Sequence, residues 1–530
     1  MTDTSETAGA ARALQQALRI GLARAGRGPA ALGAPLDALL PAGDGATPEA
    51  ALWLSLAVVD AWERSGFAPM PAPASVPGTP DAVAASPAER LRPCPARAEA
   101  LLAMLLRGVF PADLLGPWLR ELARHGGRVP PRFLPTLLDT ATRQADLRPA
   151  LLPVLGERGR WLAQTDREWQ WAALDGSAAP DPAWWETGSF EQRAAALHAW
   201  RARDPGGARE ALADTWRSEP PEARAALLAV LAQGLGPDDE AFLETALDDK
   251  RKEVRAAARS LLAGLPGSQF VARMTARLQA VLQLEGSAQT GRLQVALPAE
   301  CDAAMRRDGV GAGAHPGFGE KTGWVIDMLA AVDPCIWSQR FGAAPRACLA
   351  LARGGDAGNE LVRGWGLAAI RHRTPDWVRD FATWWLAAPP GLRNAVPDGV
   401  FDVHAALFHD DRDGTLSALL DALPANWLDE DAATRLLLRL TAGAPESWPA
   451  APSRRMVQHL AAVLPAAANV SHVWLLKALL DRLARVLDPS VAAALDAGGA
   501  PDDQWRGTLD KFFDIVRFRH ETVLSFQEQA

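Results

Sequence analysis

Asp249-Lys250-Arg251-Lys252-Glu253-Val254-Arg255-Ala256-Ala257-Ala258 is the stretch on which the fold turns. Val254, Ala257, Ala258, Leu261, Leu262 and Leu265 recur at helical spacing, which puts one apolar stripe on a helix. Asp248 and Asp249 lie just ahead of it, where carboxylates favour the positive end of the helix dipole. The tripeptide Arg255-Ala256-Ala257 has two earlier copies, Arg224-Ala225-Ala226 and Arg193-Ala194-Ala195, each 31 residues apart. Leu212 and Leu243 repeat at the same interval, as do Trp216 and Leu247. Asp204-Pro205, Gly236-Pro237 and Pro266-Gly267 supply turn punctuation between them, and Ser189-Phe190-Glu191-Gln192 reads as a capping box opening the first unit.

A unit of this length holds two antiparallel helices. Such a pair cannot bury its apolar faces alone, so neighbouring units must stack. The expected fold class is therefore all-α: an α-solenoid of HEAT-like helix pairs with additional N- and C-terminal helical regions.

The quoted decapeptide resembles the second helix of a HEAT-like repeat, with its acid, Val-Arg and small residue. Ordinary HEAT units run to roughly 40–47 residues, so the shorter period here is closer to compact bacterial HEAT-like repeats. Gly156-Glu157-Arg158-Gly159-Arg160-Trp161-Leu162-Ala163, followed by Trp169 and Trp171, and Gly319-Glu320-Lys321 before Trp324 add to the likeness. Together these resemble a family of uncharacterised bacterial proteins of about this length. What the resemblance implies is a neighbourhood rather than a reaction. Such proteins tend to be encoded near SWIM zinc-finger proteins, MoxR-type AAA ATPases and von Willebrand A domain proteins. No catalytic residues come with it.

Working outward from the repeats, residues 1–66 read as an N-terminal helical region and residues 67–95 as a proline-rich linker or loop, with eight prolines from Pro69 to Pro95. Residues 96–187 form a helical region holding the Arg-Gly-Arg-Trp motif, and residues 188–283 the HEAT-like repeats. Residues 284–319 read as a glycine-rich, non-helical insertion, in which Arg292–Leu297 alternates like a short strand; residues 320–530 read as C-terminal helices.

Composition narrows the function classes. The 530 residues include 20 tryptophans and no tyrosine, which excludes phenol chemistry. Arginine supplies 50 of the 55 basic residues, and lysine, asparagine and isoleucine are scarce, the codon signature of a GC-rich genome. The arginine excess therefore says little about phosphate binding. Formal net charge is −8, and the stretch Asp398 to Asp431 carries nine acids against Arg412 alone. An acidic chain disfavours general nucleic-acid binding, whose affinity comes from phosphate neutralisation. No secretory signal or membrane span is read, and Met456 to Leu476 reads as two soluble helices, so the expected location is cytoplasmic. Cys94, Cys301, Cys335 and Cys348 lie far apart, with no disulfide framework or zinc ribbon.

Candidate chemistry is sparse. In the glycine-rich run, Glu320 intervenes between Gly319 and Lys321, where a P-loop needs glycine directly before lysine. His409, Asp411, Asp413 and Gly414 partly mimic a calcium loop, but its last position is Leu420; His520-Glu521 starts a zinc motif that ends at Leu524. No catalytic residue, cofactor or metal site is assigned. The candidate interaction surface is Arg158, Arg160, Trp161, Trp169 and Trp171, with Arg224 and Arg255 from the repeats. The same tryptophans equally suit helix anchors with arginines stacked on them. Asp402, Asp410, Asp411 and Asp413 form a candidate acidic face for a basic partner or cation, or solvated helix ends.

The expected function is a non-enzymatic scaffold or adaptor binding other proteins, such as an AAA ATPase or a von Willebrand A domain protein in a MoxR-associated system. Two alternatives stand beside it. One is an enzyme or nucleotide-dependent component with a site near residues 309–322 or 398–414. The other is a HEAT-like nucleic-acid-binding protein using Arg224, Arg255 and Arg259.

Overall fold

The strongest packing runs between alternate helices rather than consecutive ones. The computed structural model describes residues 14, 18–19, 32, 36–40, 47–64, 86–173, 182–287, 291–425, 427, 431–464, 473–492 and 503–527. It is mostly helical and divides into two units, Met1–Ala85 and Ser86–Ala530. In the first unit the Pro48–Arg64 helix buries Leu52 and Val59 with Leu14, Leu32 and Leu36.

The second unit begins inside what the sequence suggests is linker, because residues 86–95 are docked. Arg92–Pro93 pairs as a parallel strand with Gly127–Arg128. The Glu89 carboxylate accepts the backbone N–H of Glu157 at 3.1 Å, and a Cβ on Gly156 would lie 2.6 Å from it. Gly156 has φ +70°, so glycine serves both the turn and the close approach. Residues 65–85, with most of the expected linker, lie outside the described residues.

Residues 188–283 are mostly helical, as expected. Ser189 and Gln192 make the capping box on Phe190–Arg203. That helix packs on Pro221–Ala229, which packs on Lys252–Ala263, where Val254, Ala258, Leu261 and Leu262 are buried. The recurring arginine has a structural task. Arg193 lies 4.7 Å over Trp185 and binds Glu219 at 2.5 Å, while Arg224 lies 5.8 Å over Trp216 and binds Asp249 at 2.9 Å. Each therefore stacks on a tryptophan eight residues back and reaches an acid of the next helix pair.

The described residues of 284–319 are held by a strand pair and ion pairs. Arg292–Val295 is the expected strand, and Leu282–Glu285 is its antiparallel partner. A short helix, Ala303–Arg307, lies within the segment expected to be non-helical. Arg307 ties it to Asp248 at 2.8 Å, and the fully buried Asp308 holds Arg273 and Arg277, both at 2.8 Å. These long-range ion pairs leave no periodic trace.

From Glu320 onward the helices alternate between two layers. One runs Glu320–Ala330, Gly358–His372, Gly399–Phe408, Asp431–Ala442, Val473–Val486 and Asp503–Gln527, each packed on the next. The other runs Pro345–Leu351, Pro375–Ala387, Thr415–Asp421, Ala450–Val463 and Pro489–Ala492. Trp337, Trp365, Trp377, Trp427 and Trp505 are fully buried among them, with Trp365 and Trp377 centroids 5.4 Å apart. The last helix then packs against Ala96–Leu106 and Leu115–Arg124, so the ends of this unit meet. Phe110 and Phe518 rings lie 4.3 Å apart, Arg485 reaches Asp113 at 2.5 Å, and Arg97 pairs with Glu521. Among the described residues, no helix is long and apolar enough to cross a membrane.

Candidate functional site

The Arg-Gly-Arg-Trp motif lies on the helix Gly156–Ala163, with Gly159 buried where a Cβ would strike Leu155 at 2.4 Å. Arg158 is exposed, whereas Arg160 is half-buried and pairs with Glu157 at 3.4 Å. Trp169 and Trp171 turn toward the Leu134–Arg143 helix. Their indole N–H groups donate to Asp139 at 2.9 Å and Thr142 at 3.0 Å, and the cation stacked on Trp171 is Arg148, at 4.7 Å. Trp161 packs at intermediate exposure. Of the repeat arginines, Arg224 is held by Asp249 and Trp216, and Arg255 donates to the carbonyls of Asp249 and Lys250. Most of this set is engaged within the fold.

The acidic stretch is spread over several contacts rather than gathered on one face. Asp398 pairs with Arg439, Asp413 with Arg379 at 3.3 Å, Asp421 with Arg455 at 2.9 Å and Asp410 with Arg412 at 2.7 Å. Asp411, at φ +50°, accepts from the backbone and hydroxyl of Ser417, and Asp413 caps Thr415. Asp402 is exposed on its helix. What resembles a calcium loop is the turn that starts Thr415–Asp421, and among the described residues no group of acids, histidines and cysteines is placed to hold a metal ion. Nearby His404 is fully buried beside Phe408; burial pushes it down to about 4.

The glycine-rich run lines a cavity of about 690 Å³. Its organising residue is Asp327, the one charged group in the apolar stretch from Trp324 to Val332. Asp327 Oδ1 meets His315 Nε2 at 2.8 Å, and Oδ2 accepts the backbone N–H of Gly311 at 2.8 Å and of Gly313 at 3.5 Å. A Cβ on Gly313 would lie 2.2 Å from that carboxylate. The glycines thus let backbone amides reach an aspartate rather than a phosphate. Glu300, Asp302, Glu320 and Asp327 line the space against Arg306, a charge balance adverse to phosphate. Sequence reasoning overlooked His315 and Asp327, although a lone aspartate on an apolar helical face was the available signal.

Two arginines stand close to the same carboxylate. Arg259, on Lys252–Ala263, is pushed down by burial and then by Arg255; Arg371, on Gly358–His372, by burial and then by Arg259. Nucleophilic thiols are not prepared at any described cysteine. Burial pushes Cys94 up to about 12, and Cys335 and Cys348 up to about 11; burial also raises Cys301, despite Arg306 nearby.

No curated protein and no solved structure matches the chain. A model for a family of unknown function, DUF5691, matches residues 13–524. Because that match spans nearly the whole chain, the protein belongs to the DUF5691 family.

Proposed function

We propose that the chain is a non-enzymatic scaffold or adaptor: an α-solenoid of HEAT-like helix pairs whose exposed helix faces bind other proteins in the cytoplasm. The observation that carries this reading is a ladder of hydrogen bonds between residues 34–36 apart. It runs from Arg346 to Asp380, Arg353 to Ala387, Arg379 to Asp413 and Thr415, Asp421 to Arg455, Ser453 to Asp488 and Ala484 to Arg519. A repeated offset of this size, over helices stacked in two layers, is how helix-pair arrays present extended surfaces. The resemblance drawn from the Arg-Gly-Arg-Trp motif and the repeats suggests an AAA ATPase or a von Willebrand A domain protein as partner.

The His315–Asp327 pair favours a second reading, an acid–base histidine oriented by a carboxylate. Among the described residues, the thiol lining the same cavity, Cys301, is raised by burial rather than activated.

Affinity purification of the cross-linked protein from its native host separates the two. The scaffold reading expects an AAA ATPase or von Willebrand A protein to co-purify, and expects Arg158→Glu to reduce its recovery without unfolding the chain. Recovery of no protein partner, with a hydrolytic activity abolished by His315→Gln, overturns it.

A further inference from the structure

The helices at the two ends of the second unit do not close completely. Between Leu115–Arg124, the Asp431–Ala442 helix with the loop after it, Val473–Val486 and Asp503–Gln527 lies a cavity of about 480 Å³. That falls within the roughly 300–1,000 Å³ range of small-molecule sites. Its walls combine an apolar floor with an excess of cations.

The floor includes Trp118, Val486 and Phe518, all buried. Five arginines and two glutamates, Glu121 and Glu446, line the rest. Two of the arginines are already neutralised. Arg124 sits between Glu121 at 2.8 Å and Glu446 at 3.1 Å, and Arg485 holds Asp113 at 2.5 Å and Asp481 at 2.9 Å. The other three are not. Arg120 and Arg482 are exposed, and among the described residues neither makes an ion pair.

Arg519 is the decisive residue. It is only 9% exposed, yet its guanidinium donates to neutral acceptors alone: the carbonyls of Ala484 at 2.8 Å and Leu487 at 2.7 Å, and Ser447 Oγ at 2.5 Å. These occupy three of its five N–H groups, and the carboxylate that attracts it, Asp488, is not in hydrogen-bond contact with it among the described residues. Burial accordingly pushes it down to about 10. A buried cation that no carboxylate contacts directly among the described residues is costly unless an anion completes it.

We infer that this seam cavity binds a small amphipathic anion, a carboxylate or phosphate monoester on an apolar body, with its head toward Arg120, Arg482 and Arg519 and its body over Trp118 and Phe518. A bound anion would bridge residues of Leu115–Arg124 and of the last helix and so hold the seam together. Charge-assisted bonds to guanidinium suit either head group.

Calorimetric titration of the full chain with octyl phosphate, octanoate, inorganic phosphate and octanol tests it, with thermal unfolding in parallel. Saturable binding of octyl phosphate or octanoate and a raised unfolding midpoint are expected, as for any ligand that binds only the folded state. Which of the two binds tighter tells a phosphate site from a carboxylate site. Inorganic phosphate and octanol should each bind at least about tenfold more weakly. Arg120→Gln with Arg482→Gln should weaken the anion by about tenfold or more while leaving the unliganded midpoint unchanged; Arg519→Met, which can also disturb packing, serves as a second variant. No binding of either amphipathic anion, equal binding of octanol or inorganic phosphate, or full binding by the double variant would each overturn the proposal.

Discussion

Residues 188–319 and the C-terminal helices are held by different chemistry. Within residues 188–319 several ties run to buried acids: Arg201 is wholly buried against Asp239 at 2.9 Å, and the side chains of Glu219, Asp249 and Asp308 are 5% exposed or less. From residue 345 onward the corresponding ties are open to water, with both partners of Arg379–Asp413, Arg439–Asp398 and Arg455–Asp421 at least 36% exposed. Large tryptophans fill that interior instead. Buried ion pairs demand particular residues at particular positions, whereas apolar packing accepts many substitutes of similar volume. That difference explains why one region shows its period in the sequence and the other conceals it.

The hardest blow to this contrast should come at Arg201. It donates to both Asp239 oxygens and to the carbonyls of Pro205, Leu231, Gln233 and Gly234. Arg201→Met strands a buried carboxylate and four carbonyls, and should cost about 3–5 kcal/mol in urea unfolding followed by circular dichroism. A loss below about 1 kcal/mol would show that the buried ties matter no more than the open ones.

Apolar truncation should treat the two regions alike. Leu262 and Leu479 are both fully buried, so Leu262→Ala and Leu479→Ala should each cost about 2–5 kcal/mol. A much smaller cost at Leu479 would mean that the C-terminal helices are loosely packed.

Acid should find His404 in the C-terminal half. Its folded-state value of about 4 lies below the ordinary 6.5, so the unfolded chain takes up a proton first as pH falls. Stability from this group is complete above pH 6.5 and is lost progressively down to about pH 4, a total of about 3 kcal/mol. His404→Leu should flatten the pH dependence of the unfolding midpoint over that window. An unchanged slope would assign acid sensitivity to other groups.

The smallest effects belong to the open ties. Asp421→Asn or Asp398→Asn should shift stability by about 0–1 kcal/mol, whereas Glu219→Gln, which removes the nearly buried partner of Arg193, should cost about 1.5–3 kcal/mol. Equal effects would erase the distinction between the regions.

How much of this was legible depended on range. The Lys252–Ala263 helix and the capping box at Ser189 could be read because their signals lie within a few turns of chain. The role of Arg224 could not, since a tripeptide that repeats looks the same whether it faces a partner or a neighbouring helix pair. The pairing of the acidic stretch was hidden for a related reason: the bases that meet Asp398 and Asp421 lie 41 and 34 residues further on. His315 and Asp327 escaped notice because a glycine-rich run invites a phosphate test, while the carboxylate that uses those glycines belongs to the following helix.

By itself, then, the sequence determined helical class and placed single elements such as the Lys252–Ala263 helix and the Ser189 capping box. These follow from local propensity and apolar periodicity, which act over one or two turns. Only the tertiary structure decided which charges are spent on the fold, how the C-terminal helices stack, and that the last helix meets the first helices of its unit. Arg485 and Asp113 are 372 residues apart, and a contact at that separation leaves no periodic mark. The burial of Arg519 against neutral acceptors was equally invisible, because a buried cation can be recognised only once its surroundings are assembled.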